Sequence, residues 1–508
     1  MGKQVLLQDE PLAKKLVHKG FWVYFFVFLA APIGYLLRMI LSNELSVAEV
    51  GIFYSVLGLV TLLSTYNDLG ITESLQYFIP KLWIEKKKGE LKFSILFSFF
   101  VQLVMGMILF ALLYFGAEWL AINHFHDLSA LPVIKTLAFY FLGYSLIEIF
   151  VIIFVSFQDT FSSGLVDFLR QITVLIFTVI FWLSASLSIE SYALAWLIGV
   201  GVAIIVGFSL LYKKYRHFFL QAPLVIDKKL IKKQISYAFL VFLTANVGTA
   251  LGQIDQQVIV NILGTESAGY FSNFNALLTI FTLVATPLLG LLFPITTELI
   301  TKKEHEKLGM LQHTMYTYFG ILALVVAGFF VVFGQEIAVL LFGEAFRFSG
   351  YLLQYIAPFL LFNCWFIINF NILAGMGKIK ERMYIILIAL FFTLLFNAIF
   401  LIWLGKGLLY SAFILGFSWL MLFIGSVAAL RKSQPFRLDW KVFGKNVLVI
   451  ILLIIVMLFV KSFLSFEGNW WYKFGIIALF FLGYGVIILL MNVLKIRLLL
   501  KEIKSFSS

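Results

Sequence analysis

Apolar residues run along this chain in long unbroken blocks, joined by short polar segments that carry most of the charge. A hydrocarbon core needs roughly 20 apolar residues per helical crossing. With that ruler the pattern predicts fourteen spans, at 20–41, 48–68, 93–115, 134–157, 164–186, 191–212, 236–262, 268–297, 314–333, 349–373, 383–403, 409–430, 446–464 and 474–494. The blocks are rich in Leu, Ile and Phe and lack period-two alternation, so helices are predicted and a membrane barrel is not. The longest joints, 213–235 and 116–133, are too short to house a soluble domain. The expected fold class is an all-α integral membrane protein.

Composition agrees. Of 508 residues, 62% are hydrophobic and 13% charged, with a mean hydropathy of +1.02. A soluble chain carries roughly 25% charged residues, so soluble enzymes, secreted disulfide scaffolds and disordered proteins are excluded. The lone Cys364 excludes an intrachain disulfide and cysteine-based metal chemistry. At the N-terminus, Lys3, Lys14, Lys15 and Lys19 precede a block long enough to span, which is expected to be a retained signal anchor rather than a cleaved leader.

Charge placement sets the expected topology. The net charge of +12 comes from 38 Lys and Arg against 26 Asp and Glu. If the spans alternate from a cytoplasmic N-terminus, 32 of the 38 basic residues fall on the cytoplasmic side. Only Arg38, Lys135, Arg347, Lys406, Lys461 and Lys473 fall outward. Both termini are therefore expected inside, and the basic excess calls for no nucleic acid. The Lys228–Lys233 cluster is expected to meet anionic headgroups and is also placed to help recruit an anionic substrate.

An internal repeat divides the chain. Gly51-Ile52-Phe53 recurs as Gly269-Tyr270-Phe271, and Phe115-Gly116-Ala117-Glu118 as Phe333-Gly334-Gln335-Glu336, both at an offset of 218. Six helices per repeat preserve orientation, so two parallel lobes around a central cavity are expected. The domains would be an N-terminal lobe at 1–212, a basic linker at 213–235, a C-terminal lobe at 236–430, and a two-helix hairpin with its tail at 431–508.

Several motifs then carry a resemblance. These are Leu45-Ser46-Val47-Ala48-Glu49-Val50-Gly51, Asn67-Asp68-Leu69-Gly70-Ile71 and Phe78-Ile79-Pro80-Lys81 in the first half. The second half has Gln253-Ile254-Asp255-Gln256-Gln257, Ala268-Gly269-Tyr270-Phe271 and Leu292-Phe293-Pro294. Together they resemble the polysaccharide and O-antigen flippases, the polysaccharide branch of the multidrug/oligosaccharidyl-lipid/polysaccharide exporter superfamily. The resemblance implies translocation of an undecaprenyl-diphosphate-linked oligosaccharide to the outer leaflet of the cytoplasmic membrane, by alternating access around a cationic cavity. It also implies contacts with other surface-polysaccharide assembly proteins.

Ionisable groups inside spans are costly and mark functional positions. Arg38 in span 1 and Arg170 in span 5 suit a lipid diphosphate, because guanidinium matches phosphate oxygens bidentately; snorkelling to headgroups remains open for Arg38. Glu148 in span 4 lies as far from the 159–163 turn as Arg170 does, which predicts an ion pair, either static or exchangeable with substrate. The same argument about the Gly264–Glu266 turn makes Asn275 the expected neighbour of Asp255. Span 7 is polar on more than one side, through Asn246, Thr249, Gln253, Gln256 and Asp255. It is expected to line a wet lumen, with interhelical hydrogen bonding as the alternative. Asn246, Gln253 and Gln256 join Arg38 and Arg170 as candidate substrate contacts. Glu148, Asp255, Asp68 and Glu73 are candidates for pairing or ion coupling, the last two at the inner mouth.

No cofactor and no metal site is expected. His124 and His126 lack carboxylate support, and Gly375-Met376-Gly377-Lys378 lacks P-loop spacing. The leading function is lipid-linked oligosaccharide flipping. A cation-coupled multidrug exporter and a membrane glycan polymerase or ligase are the alternatives, the last disfavoured by outward loops of at most about 18 residues, set against span lengths of roughly 20.

Overall fold

The computed structural model describes residues 12–490, apart from 68, 291, 432, 434–437, 439 and 464–469. Side chains are described within this range except at 12–20, 23, 24, 73, 240, 241, 243–247, 250, 281–290, 293, 294, 470 and 488–490. Among the described residues the chain is helical throughout, with no strand. Among the described residues, eleven helical stretches are long and apolar enough to cross a membrane, and Trp471–Ile487 is a shorter apolar helix. The two other crossings read from the sequence, 236–262 and 268–297, fall on helical residues between 228 and 301.

The helices separate into two compact units, Met1–Gln253 and Ile254–Ser508. The first holds α1 (Leu12–Glu44), α2 (Val47–Asn67), α3 (Ile71–Ile84), α4 (Lys88–Phe115), the short α5 (Ala117–Asn123), α6 (Ala130–Ser156), α7 (Thr160–Leu183), α8 (Ile189–Gln221) and the start of α9 (Lys228–Gly290). The division falls inside α9 because its first turns pack on α3 and α4. Gln234 accepts from Ser94 Oγ at 3.0 Å and donates to Ser98 Oγ at 2.8 Å, all three buried. Buried hydroxyl–amide bonds of this kind fix helix register where apolar packing alone permits sliding.

Loop chemistry fixes the ends of α7 and α8. Asp159 caps α7, accepting from Ser162 N at 3.2 Å. Lys214 near the end of α8 reaches the same carboxylate and Ser162 Oγ, each at 2.6 Å. At the other end of α8, Ser188 and Ser191 satisfy each other's backbone N–H groups in a capping box.

The second unit holds the rest of α9, then α10 (Leu292–Thr301), α11 (His305–Phe342), α12 (Arg347–Ile356), α13 (Leu360–Gly375), α14 (Ile379–Asn397), α15 (Leu408–Leu430), α16 (Trp440–Lys461) and α17 (Trp470–Leu490). Gly264 breaks α9 at φ 86° and ψ 175°, a conformation closed to residues with a Cβ. The span read as 349–373 tightens part-way along. Pro358 lies in a 3-10 turn, Ala357–Phe359, between α12 and α13, because its ring cannot continue the α-helical hydrogen bonding.

Polar links hold this unit together. Tyr316 on α11 donates to Asn369 Oδ1 on α13, whose Nδ2 donates to Ser426 Oγ on α15 at 2.8 Å. Trp365 Nε1 donates to Tyr316 O at 3.0 Å. Asn369 is therefore satisfied within the helix packing.

The α16 helix is fastened to α11. Lys461 Nζ lies 2.8 Å from Glu336 Oε1 and 2.5 Å from Val332 O, with Phe333 beneath it. Both charges are mostly buried, so truncating one strands the other. Lys461→Met is expected to loosen α16, read as faster cleavage or cross-linking of the C-terminal helices than in wild type. Lys461→Met combined with Glu336→Leu is expected to restore the wild-type rate.

Candidate functional site

In the first unit, α7 places Thr160, Ser163, Asp167 and Gln171 at helical spacing on one face. That face borders a cleft of about 420 Å³, whose opposite wall is formed by Phe26, Ala30, Ala31 and Gly34 of α1. Close approach of the two helices is set by Gly164, where a Cβ would fall 2.3 Å from the Phe26 ring. Apolar α1 residues thus face a polar stripe on α7.

Arg170 lies behind this stripe with its side chain only 11% exposed. Its Nε and Nη2 donate to Asp167 Oδ1 at 3.1 and 2.7 Å. Asp167 Oδ2 accepts from Gln171 Nε2 at 3.1 Å. The guanidinium is also within cation–π range of Tyr144 and Trp196, at 5.5 and 6.0 Å from the ring centroids. Asp167 itself is 46% exposed and belongs to the cleft wall. A buried cation is therefore held by a carboxylate that remains open on its other side.

The structure does not bring Arg170 and Glu148 into the predicted ion pair. Glu148 is instead approached by Gln102 Nε2 of α4 at 3.4 Å. Arg38 is partly buried, with its guanidinium 3.5 Å above the Tyr54 ring. Such stacking immobilises the planar group.

In the second unit, Asp255 is 3% exposed. Its Oδ1 accepts from Asn397 Nδ2 of α14 at 2.9 Å. The same Nδ2 donates to Thr393 O, and Thr393 Oγ1 is 2.6 Å from Ser418 Oγ of α15. Directly after Asn397 the helix widens into a π-turn, Ala398–Trp403. Such widenings accompany functional positions in helices. Gln256 is 5% exposed and donates to Ala268 O at 3.0 Å, linking the two segments of α9 across the Gly264 break. Gln253 is partly exposed. Asp68 and the side chains of Glu73 and Asn246 lie outside the described residues.

Sequence reasoning overlooked Asp167, Gln171 and Gln102. Asp167 had a usable signal, since a carboxylate three residues before an arginine on one helix is placed to pair with it. Gln102 had none, because its partners Ser145 and Glu148 sit on another helix.

The family model described as polysaccharide biosynthesis protein matches residues 16–300, more than half of the chain. The chain belongs to the polysaccharide biosynthesis protein family. The match spans α1 to α10 and so includes both Arg170 and Asp255. The chain is also 26% identical over 467 residues to the uncharacterized membrane protein MJ1068 of Methanocaldococcus jannaschii, covering 89% of this chain and 91% of that one. Its fold is similar to that of the lipid II flippase MurJ in an inward closed conformation. That likeness has a TM-score of 0.68 at 15% identity, over 92% of this chain and 98% of MurJ. An inward-facing MATE multidrug transporter of the MOP superfamily gives 0.66 at 14% identity, over 80% and 95%. The chain is thus a multi-pass membrane protein whose fold is like that of MurJ and the MATE transporter.

Proposed function

We propose that this protein is a flippase that carries a polyprenyl-diphosphate-linked oligosaccharide across the cytoplasmic membrane for surface polysaccharide biosynthesis. The observation that carries this reading is the Arg170–Asp167 pair at the α1–α7 cleft, inside the segment matched by the polysaccharide family model. A diphosphate and several sugars cannot cross hydrocarbon unaided, because burying uncompensated charge and hydroxyls is prohibitive. Arg170 would take the diphosphate with two parallel N–H donors while Asp167 releases it, and the polyprenyl tail would stay in lipid.

Arg38, Asn246, Gln253 and Gln256 are proposed as further headgroup contacts, although Gln256 would first have to leave Ala268 O. Asp255 with Asn397, and Glu148, are proposed for ion coupling, with Asp68 and Glu73 at the inner mouth. The six-helix segments 1–212 and 236–430 are the proposed moving parts of an alternating-access cycle, with both chain ends cytoplasmic.

Asp167→Asn tests the exchange directly. Without its carboxylate, Arg170 keeps a full charge for the diphosphate, so the lipid-linked glycan is expected to bind about tenfold tighter, an increment of about 1.4 kcal/mol. Turnover is expected to fall because release slows. Unchanged binding in a titration with lipid-linked glycan would count against Asp167 as the exchangeable counter-ion.

A further inference from the structure

The second span ends just after three of its hydroxyls bond back along the helix. Thr61, Ser64 and Thr65 donate back to Leu57, Thr61 and Leu62 carbonyls at 2.9, 2.8 and 2.6 Å. Leu69 and Gly70 then take positive φ, 51° and 79°, and α3 begins at Ile71. Asn67 ends α2 at this break. It is fully buried, and among the described residues neither its Oδ1 nor its Nδ2 has a hydrogen-bond partner.

Facing it is Gly106 of α4. A methyl carbon built there would lie 3.2 Å from both Asn67 Oδ1 and Ser145 Oγ, closer than most such contacts, so Gly106 lets these two oxygens approach α4 and an alanine there would crowd both. One turn earlier on α4, Gln102 is 1% exposed. Its Nε2 donates to Ser145 O at 2.8 Å and reaches Glu148 at 3.4 Å, while its Oε1 is without a partner. Ser145 Oγ donates to Leu142 O at 2.8 Å and keeps its acceptor capacity. Three orphaned polar atoms, two on Asn67 and one on Gln102, therefore gather between α2, α4 and α6. Buried polar groups are satisfied in native proteins, so a cluster of exceptions points to a ligand.

We propose that Asn67, Gln102 and Ser145 bind internal water at the break between α2 and α3. The donor count decides the ligand. A bare cation would serve the oxygens and leave Asn67 Nδ2 unpaired, whereas water accepts from Nδ2 and donates to Oδ1 and Oε1. The bound water satisfies polar groups that are buried at the end of α2. Through Gln102 it also extends a hydrogen-bonded cluster to the Glu148 carboxylate. This assignment is independent of the transport proposal.

Radiolytic hydroxyl labelling of the full-length protein in nanodiscs tests it, because bound water oxidises the side chains beside it. Leu142, whose Cδ1 would lie 3.6 Å from a Gly106 methyl, is the reporter. Labelling of Leu142 is expected in wild type and is expected to be lost in Gly106→Ala and Asn67→Leu. Equal labelling in all three proteins would overturn the proposal. Thermal unfolding supplies a readout if one variant folds poorly. Asn67→Leu is expected to lower the melting temperature if the amide is hydrated; a rise would mean the amide is simply unsatisfied and the site dry. A sodium-dependent increase in melting temperature over choline, lost in Asn67→Leu, would make this a cation site and overturn the assignment to water.

Discussion

Arg170→Met is expected to lower glycolipid translocation by roughly 10- to 100-fold, the range set by a charge-assisted hydrogen bond worth about 1.5–3 kcal/mol. Stability complicates any reading of that variant alone. Removing one member of a buried ion pair costs about 3–5 kcal/mol, because the other charge is left behind. Asp167 is open to the cleft, so its stranding is expected to cost less than this. The double variant Arg170→Met with Asp167→Leu separates the two effects. Replacing a whole pair with apolar side chains is often neutral for stability, so the double variant is expected to fold like wild type and still fail to translocate. Recovery of transport in the double variant would make the pair a clamp between helices and nothing more. Arg170→Lys is expected to fall between, since an ammonium keeps the charge and loses the planar fork.

The second large effect is expected at Asp255 and Asn397. Asn397→Leu removes the amide that meets the Asp255 carboxylate and should destabilise the second unit by about 1–3 kcal/mol, more if the carboxylate stays charged. Asp255→Asn keeps the shape and removes the charge. If Asp255 couples transport to an ion, this variant is expected to exchange substrate down its own gradient yet lose any stimulation by an imposed proton or sodium gradient. Measuring uptake with and without each gradient distinguishes the cases. A variant that keeps the wild-type response would remove Asp255 from the coupling.

These two sites show what was legible in the sequence. The helical membrane class followed from block length and missing charge, because apolar runs without alternation leave few other folds. The break at Gly264 was visible as a polar turn, and the structure gives it a positive φ. Arg170 and Asp255 stood out because charge inside a span is rare. Their partners did not follow from height in a hairpin. Glu148 was placed at the right distance from its turn, but height fixes only one coordinate of a helix position, and rotation decides what meets. Arg170 turned to a carboxylate on its own helix, three residues away. Asp255 found its partner on α14, more than a hundred residues on, which no local spacing encodes. The Lys461–Glu336 fastening was hidden for the same reason, although both residues were individually conspicuous.

The central claim is that the protein moves a lipid-linked glycan through a pathway that uses Arg170. The most direct measurement reconstitutes the purified protein in liposomes that carry a fluorescent polyprenyl-diphosphate oligosaccharide in the inner leaflet, and follows its appearance outside with a membrane-impermeant quencher or glycosidase. Wild type is expected to expose the glycan faster than protein-free liposomes, and the folded Arg170→Met, Asp167→Leu variant is expected to match the protein-free rate. Exposure by wild type no faster than in empty liposomes, with drug efflux detected from the same preparation, would contradict the account.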